Sequence, residues 1–95
     1  PELYQLKIEG HTDDVPIIPS KGQKFASNWE LSAARGISIM RQFAAKGVRE
    51  DRMSVLAYAQ TKPKKPIAGL KGLSLEQARA ANRRVVIRIE TATQS

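Results

Sequence analysis

The sequence contains no cysteine and only one histidine among its 95 residues. The absence of cysteine excludes a disulfide scaffold, a thiolate zinc site and a cysteine nucleophile. A zinc site normally needs three or four ligands arranged in space, which one histidine with its neighbouring carboxylates supplies poorly. The sequence therefore argues against zinc, and it leaves open a weak calcium or magnesium site.

The chain also lacks long apolar runs and has few aromatic residues. No stretch reaches the ~20 apolar residues that a membrane-spanning helix needs, and no signal peptide is recognisable. Aromatic side chains make up 5% of the residues, so the core is expected to be small. We expect one domain over residues 1–95, and a chain that opens with Pro1 is expected to be a piece of a longer protein.

Acidic residues are outnumbered by basic ones, 9 against 16, which gives a net charge of +7. A basic chain raises the question of a polyanionic partner. The basic residues concentrate in the segment 61–73 and around Arg83, Arg84 and Arg88. A nucleic-acid-binding domain is therefore the alternative hypothesis. Against it, no aromatic-basic RNA-recognition pattern occurs, and basic charge alone supports only non-specific binding.

Periodicity predicts strands and helices in alternation. The segment 3–9 (LYQLKIE) alternates as a half-buried strand that Gly10 ends, and residues 11–26 follow as a long loop. Ser27 and Glu30 form a capping box for a helix that Gly47 stops. The segment 53–59 (MSVLAYA) predicts a second strand, parallel to the first.

The helix and the rest of the chain carry further patterns. An apolar stripe is predicted to pack the helix on the sheet. After a basic loop over 61–73, Ser74 and Gln77 form a second capping box, which predicts a short helix from Leu75 to Ala81. RRVVIRIE (83–90) alternates as a final strand. The stripe consists of Trp29, Ala33, Ile37, Met40 and Ala44.

The stretch HTDD (11–14) places a histidine, a threonine and two aspartates in a turn after the first strand. Such residues often cap turns by bonding to backbone N–H groups. Asp13 and Asp14 are neighbours and point in different directions, whereas paired catalytic carboxylates must face each other. No nucleophile elbow, phosphate loop or dinucleotide fingerprint occurs, so an enzyme is not expected.

Three motifs occur in order: IEGHTDD (8–14), NWELSAARGISI (28–39) and ANRRVVIRI (81–89). Together they resemble the OmpA-like peptidoglycan-binding domain. The variant with DDVPI and SNWELS is similar to the form found in B subunits of the bacterial flagellar motor stator, proton- or sodium-driven. This resemblance implies an α+β sandwich, with a mixed sheet and helices packed on one face.

The resemblance also implies a function and a set of ligand residues. It implies a non-catalytic, cofactor-free domain that binds diaminopimelate in the peptidoglycan stem peptide rather than nucleic acid. It implies a periplasmic location in an inner-membrane protein, a homodimer, and a stator A subunit reached through a transmembrane segment. Asp13 and Arg35 would hold the ligand, and the other implied site residues are Thr12, Asn28, Leu31, Asn82 and Arg83.

The chemistry of the ligand fits these residue types. Diaminopimelate ends in a zwitterion, whose ammonium suits a carboxylate such as Asp13. Its carboxylate suits a guanidinium such as Arg35, which can bind both oxygens at once. Leu31 and Arg35 are four residues apart and share a helix side. We therefore expect the acidic turn and this helix to form one site.

The sequence departs from the family pattern in three places. Gly36 stands where the family usually has alanine, which weakens the helix by roughly 0.5–1 kcal/mol. Ala57, Tyr58 and Ala59 replace a G-x-G pattern, so a differently shaped loop is expected. An additional strand and helix precede the first strand in the family, and their absence is expected to leave a sheet edge exposed.

Overall fold

The computed structural model describes residues 4–91, which form a three-stranded mixed sheet and two helices. The strand order is β2-β1-β3, with β1 parallel to β2 and antiparallel to β3. The predicted α+β class is confirmed, as is the parallel pairing. The elements are β1 (Tyr4–His11), α1 (Asn28–Ala45), β2 (Met53–Ala59), α2 (Gly72–Asn82) and β3 (Arg84–Thr91), with 3₁₀ turns at Pro19–Lys21 and Glu50–Arg52.

The central strand β1 is longer than the sequence predicts. Gly10 does not end it, because Gly10 pairs with Ala57 of β2 and Val85 of β3, and the strand continues to His11. Pairing on both sides keeps the backbone extended past a glycine that would otherwise break the pattern. The predicted first residue, Leu3, lies outside the described residues.

The start and end of α1 follow the prediction. The Ser27 hydroxyl accepts a hydrogen bond from the Trp29 N–H at 3.1 Å and donates one to the Glu30 carboxylate. The helix ends at Ala45, and Gly47 follows with a φ of +99°, a conformation that favours glycine. Local side-chain chemistry therefore sets both ends of the helix.

The buried face of α1 differs from the predicted apolar stripe. Trp29 and Ile37 are 48% and 37% exposed, whereas the buried positions are Asn28, Ser32 and Gly36. The prediction that Trp29 and Ile37 pack on the sheet is therefore wrong. Small residues form the buried face of α1 because the helix lies very close to the strands.

Two glycines show how close α1 lies to the sheet. A Cβ atom at Gly10 would lie 2.0 Å from the Ser32 carbonyl oxygen, and one at Gly36 would lie 2.6 Å from Cγ1 of Val55. Neither position has room for a side chain at this separation. Gly36, a departure from the family pattern, thus has a packing reason in this chain.

Helix α2 starts earlier than predicted. It begins at Gly72, whose φ is +59°, and Ser74 lies inside the helix without capping it. The predicted Ser74–Gln77 capping box is wrong because a glycine in the left-handed region turns the chain into the helix before that box. Ala78 supplies the buried apolar contact of α2.

The final strand β3 is confirmed, but its apolar side is largely uncovered. Ile87 and Ile89 pair with Ile8 and Leu6 of β1 and share their face of the sheet. Helix α1 covers β1 and β2, and Ile89 remains 70% exposed. Among the described residues, no helix is long and apolar enough to cross a membrane.

The close fit of Gly36 against Val55 predicts a coupling between the two positions. Gly36→Ala should destabilise the wild-type chain by about 1–2 kcal/mol, because the overpacking exceeds the gain in helix propensity. In a Val55→Ala background the clash is gone, and the same change should stabilise by up to about 1 kcal/mol. Urea unfolding of the four variants measures this coupling. Equal effects in both backgrounds would show that Val55 does not set the requirement for glycine.

Candidate functional site

A cleft of about 190 Å³ lies between the turn that follows β1 and the first half of α1. It brings together all the predicted site residues except Asn82. The two chain segments meet here because the end of β1 packs against Ser32 of α1. The lining residues are Thr12, Asp13, Val15, Pro16, Ile17, Gln23, Asn28, Leu31, Arg35 and Arg83.

The turn itself is held by a set of local hydrogen bonds. The Thr12 N–H donates to the Ala59 carbonyl at 2.9 Å, and the Thr12 hydroxyl donates to the Asp13 carbonyl at 2.9 Å. Oδ1 of Asp13 accepts from the Val15 N–H at 3.0 Å. Asp13 thus caps the turn with one oxygen and presents the other toward the cleft.

The second oxygen of Asp13 is paired with an arginine. Arg83 donates from Nη1 to Oδ2 at 2.7 Å. The Asp13 side chain is 14% exposed, whereas the Arg83 side chain is 41% exposed and reaches in from the residue between α2 and β3. A ligand cation at Asp13 would share the carboxylate with Arg83 or displace it.

Asn28 and Leu31 shape the helix side of the cleft. The Asn28 amide donates to the Val15 carbonyl at 3.2 Å and to the Asp13 carbonyl at 3.5 Å, which ties the start of α1 to the turn. Leu31 is half-buried and supplies an apolar wall. Asn28 therefore positions the acidic turn, and its donor groups are largely used in doing so.

Arg35 is half-buried in the cleft wall and differs from the other charged residues there. Within residues 4–91 its guanidinium makes no hydrogen bond and no ion pair. A guanidinium has five N–H donors in a fixed planar fork. Arg35 is therefore available to bind an anionic group that enters the cleft.

Asn82 lies away from the cleft. Its side-chain oxygen accepts from the Lys65 N–H at 2.8 Å, and its amide donates to the Lys65 carbonyl at 3.0 Å. The residue is buried and fastens the basic loop to the end of α2. Its direct contact with a ligand stays a prediction, whereas its structural contact with Lys65 is clear.

Asp14 forms an ion pair that sequence reasoning missed. Both its oxygens accept from Arg79 of α2, from Nε at 2.9 Å and from Nη2 at 3.1 Å. The hydrogen bond from Arg79 lowers the pKa of the Asp14 carboxyl below its usual value, and partial burial opposes the shift only in part. No sequence pattern connects two positions so far apart. Asp13 faces the cleft and Asp14 anchors α2.

Metal binding finds no support in the described residues. Within residues 4–91, no group of three histidine or acidic side chains could hold a metal ion. The carboxylates of the turn are instead paired with Arg83 and Arg79.

Residues 1–71 match the OmpA family, a match that ends before α2. Motility protein B of Helicobacter pylori is 30% identical over 66 residues, which cover 70% of this chain and 24% of that protein. The crystal structure of the periplasmic domain of Helicobacter pylori MotB has a TM-score of 0.79 at 29% identity, covering 98% of this chain and 54% of that chain. The peptidoglycan-associated lipoprotein from Burkholderia pseudomallei, at 22% identity, shares the fold, with a TM-score of 0.70 over 92% of this chain and 63% of that chain.

The Asp14–Arg79 pair predicts a pH-dependent contribution to stability. Because the folded pKa of Asp14 is depressed, the contribution is present above the unfolded pKa of ~3.9 and is lost as pH falls through the folded value. Asp14→Asn should therefore cost about 1 kcal/mol of unfolding free energy near neutral pH, and less in acid once the pH has fallen through the folded pKa of Asp14. Asp51→Asn, which breaks the more exposed pair with Arg49, is the charge-matched control. A cost that does not change with pH would contradict the ion-pair assignment.

Proposed function

Because the chain belongs to the OmpA family, as the match over residues 1–71 shows, we propose that it binds the peptidoglycan of the bacterial cell wall and catalyses no reaction. One observation carries the proposal. The cleft holds the carboxylate of Asp13 and the unpaired guanidinium of Arg35 on two of its walls. Opposite charges arranged in one cleft suit a zwitterionic ligand.

The proposed ligand group is the zwitterionic end of diaminopimelate in a stem peptide. Its ammonium would share the Asp13 carboxylate with Arg83 or displace Arg83 from it, and its carboxylate would bind the guanidinium of Arg35 as a bidentate pair. Leu31 would contact the aliphatic chain between them. No described residue competes for Arg35, so its binding costs no existing ion pair.

Arg83 gives the cleft a second cation and fixes the direction of Asp13. Its bond to Oδ2, together with the Val15 N–H bond to Oδ1, holds the carboxylate in one orientation. A fixed carboxylate loses less conformational entropy when it binds an ammonium. The Arg83 side chain is 41% exposed, so it is also open to an anionic group of a bound peptide.

The wider role that we propose follows from the relatives. The chain spans about half the length of the solved MotB periplasmic domain and about a quarter of the curated motility protein that it matches. We propose that it is the periplasmic part of an inner-membrane stator subunit, that it anchors the stator to the wall, and that it acts as a homodimer beside a stator A subunit. No feature of the cleft specifically favours nucleic-acid binding, the alternative function.

The proposal predicts that Asp13→Asn abolishes sedimentation with insoluble peptidoglycan. Asparagine keeps the acceptor for the Val15 N–H but removes the charge that would bind an ammonium. Loss of one charge-assisted bond should weaken binding by about ten- to a hundredfold. Asp14→Asn is the matched control, since it makes the same charge change one residue outside the cleft. Binding to duplex and single-stranded DNA, measured at the same salt concentration, tests the alternative function of nucleic-acid binding.

Two results would contradict this prediction. If Asp13→Asn binds peptidoglycan as tightly as the wild type does, the Asp13 carboxylate is not part of the binding site. Equal losses in Asp13→Asn and Asp14→Asn would indicate that net charge, rather than the cleft, controls binding. Circular dichroism spectra of the variants verify that both remain folded.

A second prediction concerns the geometry of Arg35. Arg35→Lys keeps the positive charge but replaces the planar fork by a flexible ammonium. The loss of bidentate geometry should cost on the order of 1.5–3 kcal/mol of binding, or roughly ten- to a hundredfold in affinity. Calorimetry with a diaminopimelate-containing peptide measures this cost. Stability should change by less than about 0.5 kcal/mol, because the guanidinium makes no contact that lysine would break. If lysine binds the peptide as well as arginine, Arg35 is a solvated helix charge.

A further inference from the structure

The face of the sheet opposite α1 carries a second cavity, of about 260 Å³. Gly10 points toward Ser32 of α1, so Glu9 and His11, its neighbours in β1, point to the other face. The cleft at Asp13 and Arg35 and this cavity are therefore separate sites. The lining residues are Glu9, His11, Tyr58, Lys62, Arg84 and Arg88.

The only carboxylate in the lining is already neutralised. Glu9 is buried, and its Oε2 accepts from Nε of Arg88 while its Oε1 contacts Nε2 of His11 at 3.3 Å. Burial by itself raises the pKa of Glu9, but the hydrogen bonds from Arg88 and His11 outweigh it and lower the pKa. Glu9 is thus ionised and paired at neutral pH, and it leaves the remaining cations of the cavity uncompensated.

Two of these cations have no carboxylate partner among the described residues. Arg84 donates to the neutral carbonyls of Asn82 at 3.3 Å and Lys62 at 3.0 Å, which uses two of its five N–H groups. Nζ of Lys62 lies 5.9 Å from the ring centre of Tyr58. With Glu9 balancing Arg88, the cavity carries two positive charges, and Arg84 is held by the carbonyls in one orientation.

His11 adds a polar atom that has no partner. The side chain is 2% exposed and stacks on Tyr58, with ring centres 5.2 Å apart and an interplanar angle of 14°. Nε2 faces Glu9 and so carries the hydrogen, which leaves Nδ1 buried and without a hydrogen-bond partner within residues 4–91. A buried polar atom that lacks a partner is costly.

From this arrangement we propose that the cavity is a binding site for a tetrahedral oxyanion, a phosphate group in particular. A phosphate monoester carries about −1.5 to −2 charges near neutral pH, which matches the two uncompensated cations. Arg84 and Lys62 supply the ionic contacts. His11 lines the cavity beside them, so its ring is placed to respond to the charge of a bound anion.

The single histidine of the chain makes a direct test possible. Inorganic phosphate and sulfate should each shift the ring proton resonances of His11 in nuclear magnetic resonance spectra, and the shift should saturate. Arg84→Gln and Lys62→Gln should each weaken the binding of both anions by about ten- to a hundredfold. Lys62 is an exposed loop residue, so its replacement tests the site without endangering the fold.

The pH dependence of sulfate binding is a second readout. Burial lowers the pKa of His11, the hydrogen bond to Glu9 opposes this, and the charges of Arg84 and Arg88 lower it further. A bound anion should raise this pKa, so by linkage sulfate should bind more tightly as pH falls from neutral through the lowered pKa of His11. Sulfate keeps both charges throughout that range. The groups around the ring are Glu9 of β1, Tyr58 of β2, Lys62 of the following loop, and Arg84 and Arg88 of β3.

Arg41→Gln, an exposed change of equal charge on α1, is the matched control and should bind both anions like wild type. An absent or non-saturating shift of the His11 resonances overturns the proposal, as does an equal loss in Arg41→Gln and Lys62→Gln. Vesicles of phosphatidylglycerol, compared with phosphatidylcholine, identify the source of the phosphate. Co-sedimentation that Lys62→Gln abolishes indicates a lipid headgroup, and phosphate binding without it indicates a soluble phosphate.

Discussion

The close contact between β1 and α1 is the constraint on which the rest of the structure depends. Gly10 lies directly against the backbone of Ser32, so that no side chain fits between them. The Ser32 hydroxyl in turn accepts the Ala59 N–H at 3.2 Å, and the Ala59 carbonyl accepts the Thr12 N–H at 2.9 Å. One buried serine thereby joins the helix, the end of β2 and the turn that carries Asp13.

Close packing around α1 also explains two of the three departures from the family pattern. Ala59 has a φ of +53°, a conformation that favours glycine, and it is held there by hydrogen bonds at both its N–H and its carbonyl. Glycine at position 36 lowers the helix propensity of α1, but it leaves room for the Val55 side chain. The chain thus has alanine at position 59, where the backbone conformation favours glycine, and glycine at position 36, where helix propensity favours alanine. In each case the contacts with neighbouring residues explain the choice.

The two faces of the sheet separate two charged environments. On the α1 side, Asp13 and Arg35 present opposite charges to one cleft, and the proposed wall ligand matches them. On the other side, around a buried histidine, Arg84 and Lys62 have no carboxylate partner in the described part of the chain. A net charge of +7 is more than a zwitterionic ligand explains, and the second face accounts for part of the excess.

The sequence by itself determined the features that local chemistry controls. Alternation predicted the strands, and Ser27 and Gly47 set the ends of α1, since each signal lies within a few neighbouring residues. The pairing of the acidic turn with Leu31 and Arg35 in one cleft was implied by the resemblance of three motifs to the OmpA-like domain. Only the tertiary structure decided the buried face of α1, because the close approach of two backbones selects small residues over apolar ones. It alone decided the pairs Asp14–Arg79 and Glu9–Arg88, whose members are 65 and 79 residues apart. Such pairs leave no local pattern, because they depend on which strand and helix ends the fold brings together.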